Sequence, residues 1–446
     1  MLKVWRLVGL AALALLVAWL VPGPGGLRAA LALFVLVAGL WLTQALPLAV
    51  TALAVPLLAV GLGLATPRQA LAAFAHPVLF LFLGGFALAA ALVHQGLDRV
   101  LAHAVLRLAR GHLGAAVWGL CGAAALLSMW ISNTAAVAMM LPLALALGLL
   151  RAEGVQATGN EKAFVLLALA YSASIGGMGT LIGSPPNALA GAQAGIGFAQ
   201  WLALALPLVA VLWPLMLGVL ALLLRPRLQA RIVVAREMQP WTPQRGWVVL
   251  VFVLTVLGWL AGAPLARWLG IGQDIDTVVA LAAVVLLAVG GGIGWKELER
   301  EIPWGILLLF GGGLALSEVM GSSGASRFLA EALLRWLDQA PLALALLAGL
   351  VFIVLLTELV SNTASAALLL PIALGVASAL GLPPVPLAAA VAVAASCAFM
   401  LPVATPPNAI VFASGEVTQA TMMRCGAWLN VVAVLVIAGF VGWVWT

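Results

Sequence analysis

The sequence predicts an all-α protein that crosses a lipid membrane many times. Hydrophobic residues make up 65% of the 446 residues and charged residues only 8%, against about 25% charged in a soluble domain. Apolar runs recur at about 20 residues, the length that spans a bilayer as a helix. They lack the polar–apolar alternation of a transmembrane β-barrel. These observations exclude a soluble enzyme, a nucleic-acid-binding module and a disordered chain.

Eleven apolar runs have the composition of transmembrane helices. We expect these spans at residues 7–21, 29–44, 46–65, 77–96, 163–195, 198–224, 247–265, 277–293, 304–320, 386–415 and 426–446. The first run follows Lys3 and Arg6, as in a signal peptide. No small-residue cleavage site follows it cleanly, so residues 1–28 are expected to form a retained first transmembrane helix.

Two longer apolar stretches, 113–150 and 341–379, each carry a polar triplet near the middle. Their length suits two short antiparallel helices that enter and leave the membrane on one side, and we therefore expect re-entrant hairpins. A short amphipathic segment precedes each hairpin, at 97–111 and 326–338. The spacing of charged and apolar residues in these segments suits helices that lie in the membrane interface.

The distribution of Lys and Arg predicts the orientation. Residues 225–246 carry five arginines and are expected to form a cytoplasmic basic linker at the middle of the chain. With a cytoplasmic N-terminus and two re-entrant hairpins, 15 of the 20 basic residues lie inside, as the positive-inside rule requires. The C-terminus then faces outward after eleven spans. We expect a multi-pass protein of the inner (plasma) membrane, with lipid as its surroundings.

Two motifs occur twice in the same order. Ser-Asn-Thr at 132–134 returns at 361–363, and the Pro-Pro-Asn motif at 184–187 returns at 405–408. The interval between the two Ser-Asn-Thr triplets (132 to 361) is nearly the same as that between the two Pro-Pro-Asn motifs (184 to 405). Two matched pairs at nearly the same interval indicate an internal duplication.

The duplication predicts two repeats, residues 29–224 and 247–446. In the first, the hairpin 113–150 precedes a broken helix at 163–195; in the second, 341–379 precedes a broken helix at 386–415. Each repeat has five spans and one hairpin, so the two have inverted topology. Inverted repeats with broken helices are typical of secondary transporters, which hold their substrate near the membrane midplane.

Four polar interruptions, the two Ser-Asn-Thr triplets and the two Pro-Pro-Asn motifs, break the apolar runs. The residue types at these four breaks predict an ion site. A double proline removes two backbone donors and breaks a helix, which frees the carbonyl oxygens just before it. Ser, Asn and Thr favour helix N-termini, whose positive end can bind a small anion without any arginine. Hard cations prefer oxygen ligands. Ser128 lies one helical turn before Ser132 and can present a second hydroxyl on the same face.

Two cation sites of matching composition follow from this pattern. The first comprises Ser128, Ser132, Asn133 and the carbonyl of Gly183, and the second comprises Thr357, Ser361, Asn362 and the carbonyl of Ala404. Neither contains a carboxylate, so a bound dianion would offset the cation charge and couple the two ligands. The alternative is that hydroxyls such as that of Ser128 bond back to the i−4 carbonyl and only bend the helix.

These motifs resemble the divalent anion/sodium symporter family over essentially the whole chain, and residues 396–411 (SCAFMLPVATPPNAIV) are also similar to it. The resemblance implies sodium as coupling ion and a homodimer. It also implies a scaffold domain and a transport domain that moves like an elevator. The substrate residues that it implies are Asn133, Thr134, Asn362 and Thr363, with Ser184, Thr405 and Pro406 nearby.

The leading hypothesis is sodium-driven uptake of a small dianion, a C4-dicarboxylate such as succinate, malate or fumarate. Sulfate or another inorganic oxyanion as substrate, and sodium-independent dicarboxylate exchange, remain alternatives. An enzyme is not expected, because no span contains a Ser/His pair or a metal-ligand cluster. Glu358 is interpreted as a structural acid bonded near the second hairpin, with a role as a proton or cation ligand as the alternative. For Glu318 the sequence suggests no partner.

Overall fold

The computed structural model describes residues 2–149, 157–229, 240–271, 274–336 and 341–445. Within these ranges the chain is helical and contains no β-strand. The helices are α1 (Leu2–Leu20), α2 (Gly25–Thr43), α3 (Leu48–Gly61), α4 (Pro67–Ala72), α5 (Pro77–His94), α6 (Leu97–Leu108), α7 (Leu113–Ser128), α8 (Asn133–Leu149), α9 (Gly159–Gly177), α10 (Pro185–Ala194), α11 (Phe198–Leu224), α12 (Pro243–Leu260), α13 (Gly262–Leu269), α14 (Ile275–Val289), α15 (Trp295–Glu301), α16 (Trp304–Ser322), α17 (Ala325–Trp336), α18 (Leu342–Leu359), α19 (Asn362–Leu380), α20 (Pro384–Ala395), α21 (Pro406–Ala413) and α22 (Gln419–Trp443). A 3-10 turn, Ala73–Ala75, lies between α4 and α5.

The number of helices long enough to span a membrane differs from the eleven predicted spans. Among the described residues, 8 helices are long and apolar enough to cross a membrane unaided, and several shorter apolar helices accompany them. Part of the difference arises where one apolar run holds two helices: 163–195 contains most of α9 and all of α10, and 386–415 contains most of α20 and all of α21. The fold is therefore all-helical with many apolar helices, and the number of spans stays a prediction.

The two long apolar stretches each form a helix, a short turn and a second helix. Hairpin 1 consists of α7, tip 1 (residues 129–132) and α8; hairpin 2 consists of α18, tip 2 (residues 360–361) and α19. Each second helix begins at the asparagine of a Ser-Asn-Thr triplet. The amphipathic segments before the hairpins are α6 and α17. The last residue of stretch 113–150 and the central ten residues of the basic linker, 230–239, lie outside the described residues.

The two predicted repeats contact each other through a matched pair of close helix crossings. A Cβ added to Gly84 of α5 would lie 2.6–2.8 Å from atoms of Ala280 in α14, and a Cβ added to Gly312 of α16 would lie 2.6–2.7 Å from atoms of Ala52 in α3. The interval from Gly84 to Gly312 equals the interval from Ala52 to Ala280 (312 − 84 = 280 − 52). The same crossing therefore occurs twice, each time between a helix of one repeat and a helix of the other.

The broken helices occupy the interior of the bundle. Both α9 and α20 are buried along almost their whole length. The short helix α10 of the first repeat packs on α19 and α20 of the second, while α21 of the second packs on α8 and α9 of the first. This exchange of short helices brings the polar breaks of both repeats into one buried region.

Candidate functional site

Each broken helix contains a long unwound segment that precedes its double proline. Helix break 1 (residues 178–184) separates α9 from α10, and helix break 2 (residues 396–405) separates α20 from α21. The prolines are the first two residues of α10 and α21, a position where proline is favoured because the missing N–H has no partner within the helix. The double prolines thus begin the second helix of each pair, and the first helix ends several residues earlier.

A buried asparagine braces helix break 1. Asn187 is fully buried, and its Nδ2 donates to the carbonyl oxygens of Gly177 at 2.9 Å, Met178 at 3.2 Å and Thr180 at 2.7 Å. Carbonyls released from a helix inside a membrane need such partners, because no water is present to replace them. Asn187 therefore holds the unwound backbone in one conformation.

Asn408 braces helix break 2 in the same way. It is fully buried, and its Nδ2 donates to the carbonyl oxygens of Ala398 at 3.1 Å and Leu401 at 3.0 Å. Ala398 and Leu401 follow Gly177 and Thr180 at the same interval that separates the two Pro-Pro-Asn motifs. The two breaks therefore share two bracing hydrogen bonds as well as a sequence motif, and Asn187 makes one bond more, to Met178.

At tip 1 the structure brings together most of the first predicted cation site. The Ser128 hydroxyl donates to Oδ1 of Asn133 at 2.5 Å. A Cβ on Gly183 would lie 3.0 Å from the Ser128 carbonyl oxygen, and the Gly183 carbonyl and Asn133 Oδ1 both lie against Gly177. Ser132 is exposed, and its hydroxyl accepts the Ala135 N–H at 3.2 Å as a helix cap.

Tip 2 repeats the central contact. The Thr357 hydroxyl lies 2.8 Å from Oδ1 of Asn362 and 2.6 Å from the carbonyl oxygen of Ala395, and is within donating distance of both. Ser361 is half-buried and makes no side-chain cap. Ala404 is buried in helix break 2. Sequence reasoning missed the Ala395 carbonyl, because nothing in an alanine marks the end of a helix.

Hydrogen bonds connect both tips and both breaks in series. Thr180 of helix break 1 donates to the Met129 carbonyl of tip 1. The hydroxyls of Ser184 and Ser396 lie 3.3 Å apart and join helix break 1 to helix break 2. The Thr357–Ala395 contact then joins α20, at the start of helix break 2, to the end of α18. Four segments that are far apart in sequence thus form one polar core.

The predicted substrate residues differ in accessibility. Asn133 and Asn362 are half-buried, Ser184, Thr363 and Thr405 are buried, and Thr134 and Pro406 are exposed. The buried Thr405 hydroxyl accepts the Asn408 N–H at 3.3 Å and caps α21. Within the described part of the chain no hydrogen bond joins the two Ser-Asn-Thr triplets directly, so the connection between the tips runs through the two breaks.

Glu358 is a structural acid that the sequence interpretation located near hairpin 2 without identifying its partners. Its carboxylate accepts the backbone N–H groups of Phe399, Met400 and Leu401 at 2.7, 2.8 and 3.0 Å. Asn430 of α22 donates a fourth bond at 2.8 Å. These donors satisfy a buried carboxylate and anchor helix break 2 to the end of α18. The matching position of hairpin 1 is Met129, so this anchor exists in one repeat only.

The site is rich in neutral oxygen atoms and helix N-termini. Each of the two tips and two helix breaks is followed by the start of a helix: α8, α10, α19 or α21. The N-terminus of a helix carries roughly half a positive charge. No group of three His, Cys, Asp or Glu residues suited to a metal occurs among the described residues. Hydroxyl, amide and carbonyl oxygens are ligands for hard monovalent cations, and helix N-termini suit an anion.

Comparison with known proteins defines the class. Residues 38–394 match the citrate transporter family. The chain is 46% identical over 422 residues to an uncharacterized transporter of Haemophilus influenzae, covering 93% of this chain and 91% of that protein. It is 34% identical over 443 residues to the sodium-dependent dicarboxylate transporter SdcS of Staphylococcus aureus, covering 91% and 84%.

Two solved structures share the fold at low sequence identity. The YdaH transporter of Alcanivorax borkumensis gives a TM-score of 0.55 at 16% identity, over 84% of this chain and 86% of that chain. MtrF of Neisseria gonorrhoeae gives 0.54 at 13% identity, over 82% and 81%. The fold and the relatives define a multi-pass membrane transport protein. This chain belongs to the citrate transporter family, within the divalent anion/sodium symporters.

Proposed function

We propose that the protein is a secondary transporter that couples the entry of sodium to the uptake of a small dianion, a C4-dicarboxylate such as succinate, malate or fumarate. The observation that carries the proposal is the matched pair of contacts at the tips, Ser128 with Asn133 and Thr357 with Asn362. Each pair offers two neutral oxygen atoms next to a braced helix break, and neutral oxygens are ligands that a hard cation such as sodium prefers.

The chemistry of the tips supports coupling between the ions. Each proposed sodium site uses neutral oxygens, so an occupied site carries an almost uncompensated positive charge in a medium of low polarity. A dianion bound between two such sites lowers that cost, and the sodium ions lower the cost of binding the dianion. Because binding free energies are reciprocal, sodium raises the affinity for the dianion by the same factor that the dianion raises the affinity for sodium.

The anion is proposed to lie against the N-terminal ends of α8 and α19. The polar groups available there are Asn133 and Thr134 from hairpin 1 and Asn362 and Thr363 from hairpin 2, with Ser184, Thr405 and Pro406 beside them. The name of the Staphylococcus aureus relative, a sodium-dependent dicarboxylate transporter, supports both the substrate class and the coupling ion.

The remaining elements of the proposal concern assembly and motion. We propose a homodimer in the lipid bilayer, with a cytoplasmic N-terminus and an outward C-terminus. The polar core is proposed to belong to a transport domain that moves as a unit against a scaffold domain. The hydrogen bonds that run from tip 1 through both helix breaks to tip 2 support a transport domain, because segments bonded to one another can move as a unit.

Uptake of radiolabelled succinate into proteoliposomes tests the proposal. We expect uptake above the external concentration only with an inward sodium gradient, and none when choline replaces sodium. Equal uptake without sodium would contradict coupling. A competition series with sulfate and citrate then separates the substrate classes, and succinate should compete far better than sulfate.

A further inference from the structure

A cavity of about 330 Å³ lies away from the two tips. It is bounded by Ala72, Ala73, His76, Gln193, Leu314, Ser317 and Glu318. These residues come from the short segment before α5, from the last turn of α10 and from α16. Leu189 of α10 lies against Gly313 of α16, so the cavity adjoins that crossing.

One carboxylate at the cavity, that of Glu318, has no hydrogen-bond partner among the described residues. Glu318 lies in α16, one of the helices that can cross a membrane. It is exposed and makes no hydrogen bond or ion pair with any described residue. Ionisable side chains on such helices are rare, and they commonly face a water-filled cavity or mark the path of an ion. Glu358 of α18, by contrast, is buried and accepts four hydrogen bonds.

The neighbours of Glu318 are polar and incompletely paired. The Ser317 hydroxyl donates to Oε1 of Gln193 at 2.9 Å, while the buried Nε2 of Gln193 has no partner among the described residues. The Nδ1 of His76 accepts the Val78 N–H at 3.2 Å. The cavity therefore combines one negative charge and two further oxygens with a donor that lacks an acceptor.

The two predicted repeats differ at these polar positions. At the interval that relates Gly84 to Gly312, the first repeat has Ala89 in place of Ser317 and Ala90 in place of Glu318. The helix α5 forms with two alanines where α16 has Ser317 and Glu318, so the polar pair is a feature of α16 alone.

We propose that this cavity is a binding site for a monovalent alkali cation, separate from the two sodium sites at the tips. Glu318, the Ser317 hydroxyl and Oε1 of Gln193 supply the negative charge and the oxygens that such a cation prefers. The volume is far larger than a bare ion, so the cation keeps part of its water. A water of that shell gives Nε2 of Gln193 the acceptor it lacks.

Equilibrium binding of ²²Na⁺ to the purified full-length protein tests the site, without dicarboxylate and with choline chloride holding the ionic strength constant. We expect Glu318→Gln to bind one sodium fewer per chain than the wild type, or to need at least about tenfold more sodium at this site, which is about 1.4 kcal/mol. The matched control is Glu331→Gln, an exposed acid paired with Arg327, which should bind as the wild type does.

Two further variants make the test independent of folding and of the tips. If Glu318→Gln does not fold, Ser317→Ala replaces it, since the first repeat already carries alanine there; it should raise the half-saturating sodium concentration at least about threefold. The double variant Ser128→Ala/Thr357→Val removes the tip hydroxyls and should retain the sodium bound at Glu318, whether or not the tips bind sodium. Wild-type sodium binding in both Glu318→Gln and Ser317→Ala would overturn the site, as would loss of all sodium binding in the double variant.

Discussion

The Thr357 hydroxyl lies 2.8 Å from Oδ1 of Asn362 across tip 2. The same hydroxyl lies 2.6 Å from the Ala395 carbonyl oxygen, so its proton has two alternative acceptors. When the proton points to the Ala395 carbonyl, the Thr357 oxygen and Asn362 Oδ1, which are 2.8 Å apart, both have lone pairs free for a cation. In the proposed sodium site, a cation binds there while the hydroxyl stays hydrogen-bonded to Ala395, which lowers the free-energy cost of occupying the site.

Thr357→Val is expected to weaken sodium activation of transport. Valine keeps the shape of threonine but lacks the oxygen, so we expect the half-saturating sodium concentration to rise by about tenfold or more. Thr255→Val is the matched control, because that buried hydroxyl only bonds back to the Val251 carbonyl at 2.7 Å. Sodium titration of succinate uptake measures both. An equal sodium dependence in the two variants would remove Thr357 from the site.

Asn187→Ala is expected to destabilise helix break 1. The substitution leaves the carbonyls of Gly177, Met178 and Thr180 without their common donor, and a buried group without a partner costs about 1–3 kcal/mol. We expect a clear fall in the melting temperature of the detergent-solubilised protein together with loss of uptake. Asn160→Ala, on the exposed first turn of α9, should change neither. An unchanged melting temperature in Asn187→Ala would show that the brace is dispensable.

Glu358→Gln tests the anchor of helix break 2. The amide of glutamine turns an N–H₂ group toward backbone N–H groups that the carboxylate now accepts, so at least one of Phe399, Met400 and Leu401 loses its partner. We expect a loss of stability of about 2–4 kcal/mol, measured as a lower melting temperature. Glu331→Gln, at an exposed position of α17, is the control. Wild-type stability in Glu358→Gln would contradict the structural role.

Gly312→Ala tests the symmetrical helix crossing. The added Cβ would lie 2.6 Å from the Cα of Ala52, a backbone atom that cannot rotate away, so α16 and α3 must separate. Overpacking of this kind costs about 1–3 kcal/mol. Gly349→Ala in α18 is the control, since nothing lies within 4 Å of its added Cβ. The yield of folded protein and its melting temperature should fall for Gly312→Ala alone.

The positions of the four breaks could be predicted from the sequence, because a polar triplet or a double proline inside an apolar run is costly in a membrane unless the helix is interrupted there. The length of the unwound segment at each helix break could not be predicted from the sequence. The first helix of each pair ends well before the prolines, and the stabilising bonds come from Asn187 and Asn408, whose side chains reach back along the chain. Such contacts depend on how the unwound backbone folds, which residue types do not specify.

The sequence only weakly indicated two further features, the paired helix crossings and the contact of Thr180 with tip 1. The crossing of Gly84 with Ala280 repeats as Gly312 with Ala52, but glycine and alanine are common in this chain, so their shared interval is visible only once the helices are packed. Thr180 lies in a glycine-rich run and contacts tip 1 from another segment. Its role follows from tertiary packing, although a lone hydroxyl within unwound glycines could have indicated it.

Sodium-dependent binding of succinate to the purified protein tests the shared pocket most directly. We expect sodium to raise the affinity of the wild type for succinate. Asn133→Ala and Asn362→Ala should each abolish this binding while the protein remains folded, because one pocket is built from both hairpins. Retention of sodium-dependent succinate binding in either variant would contradict a shared pocket.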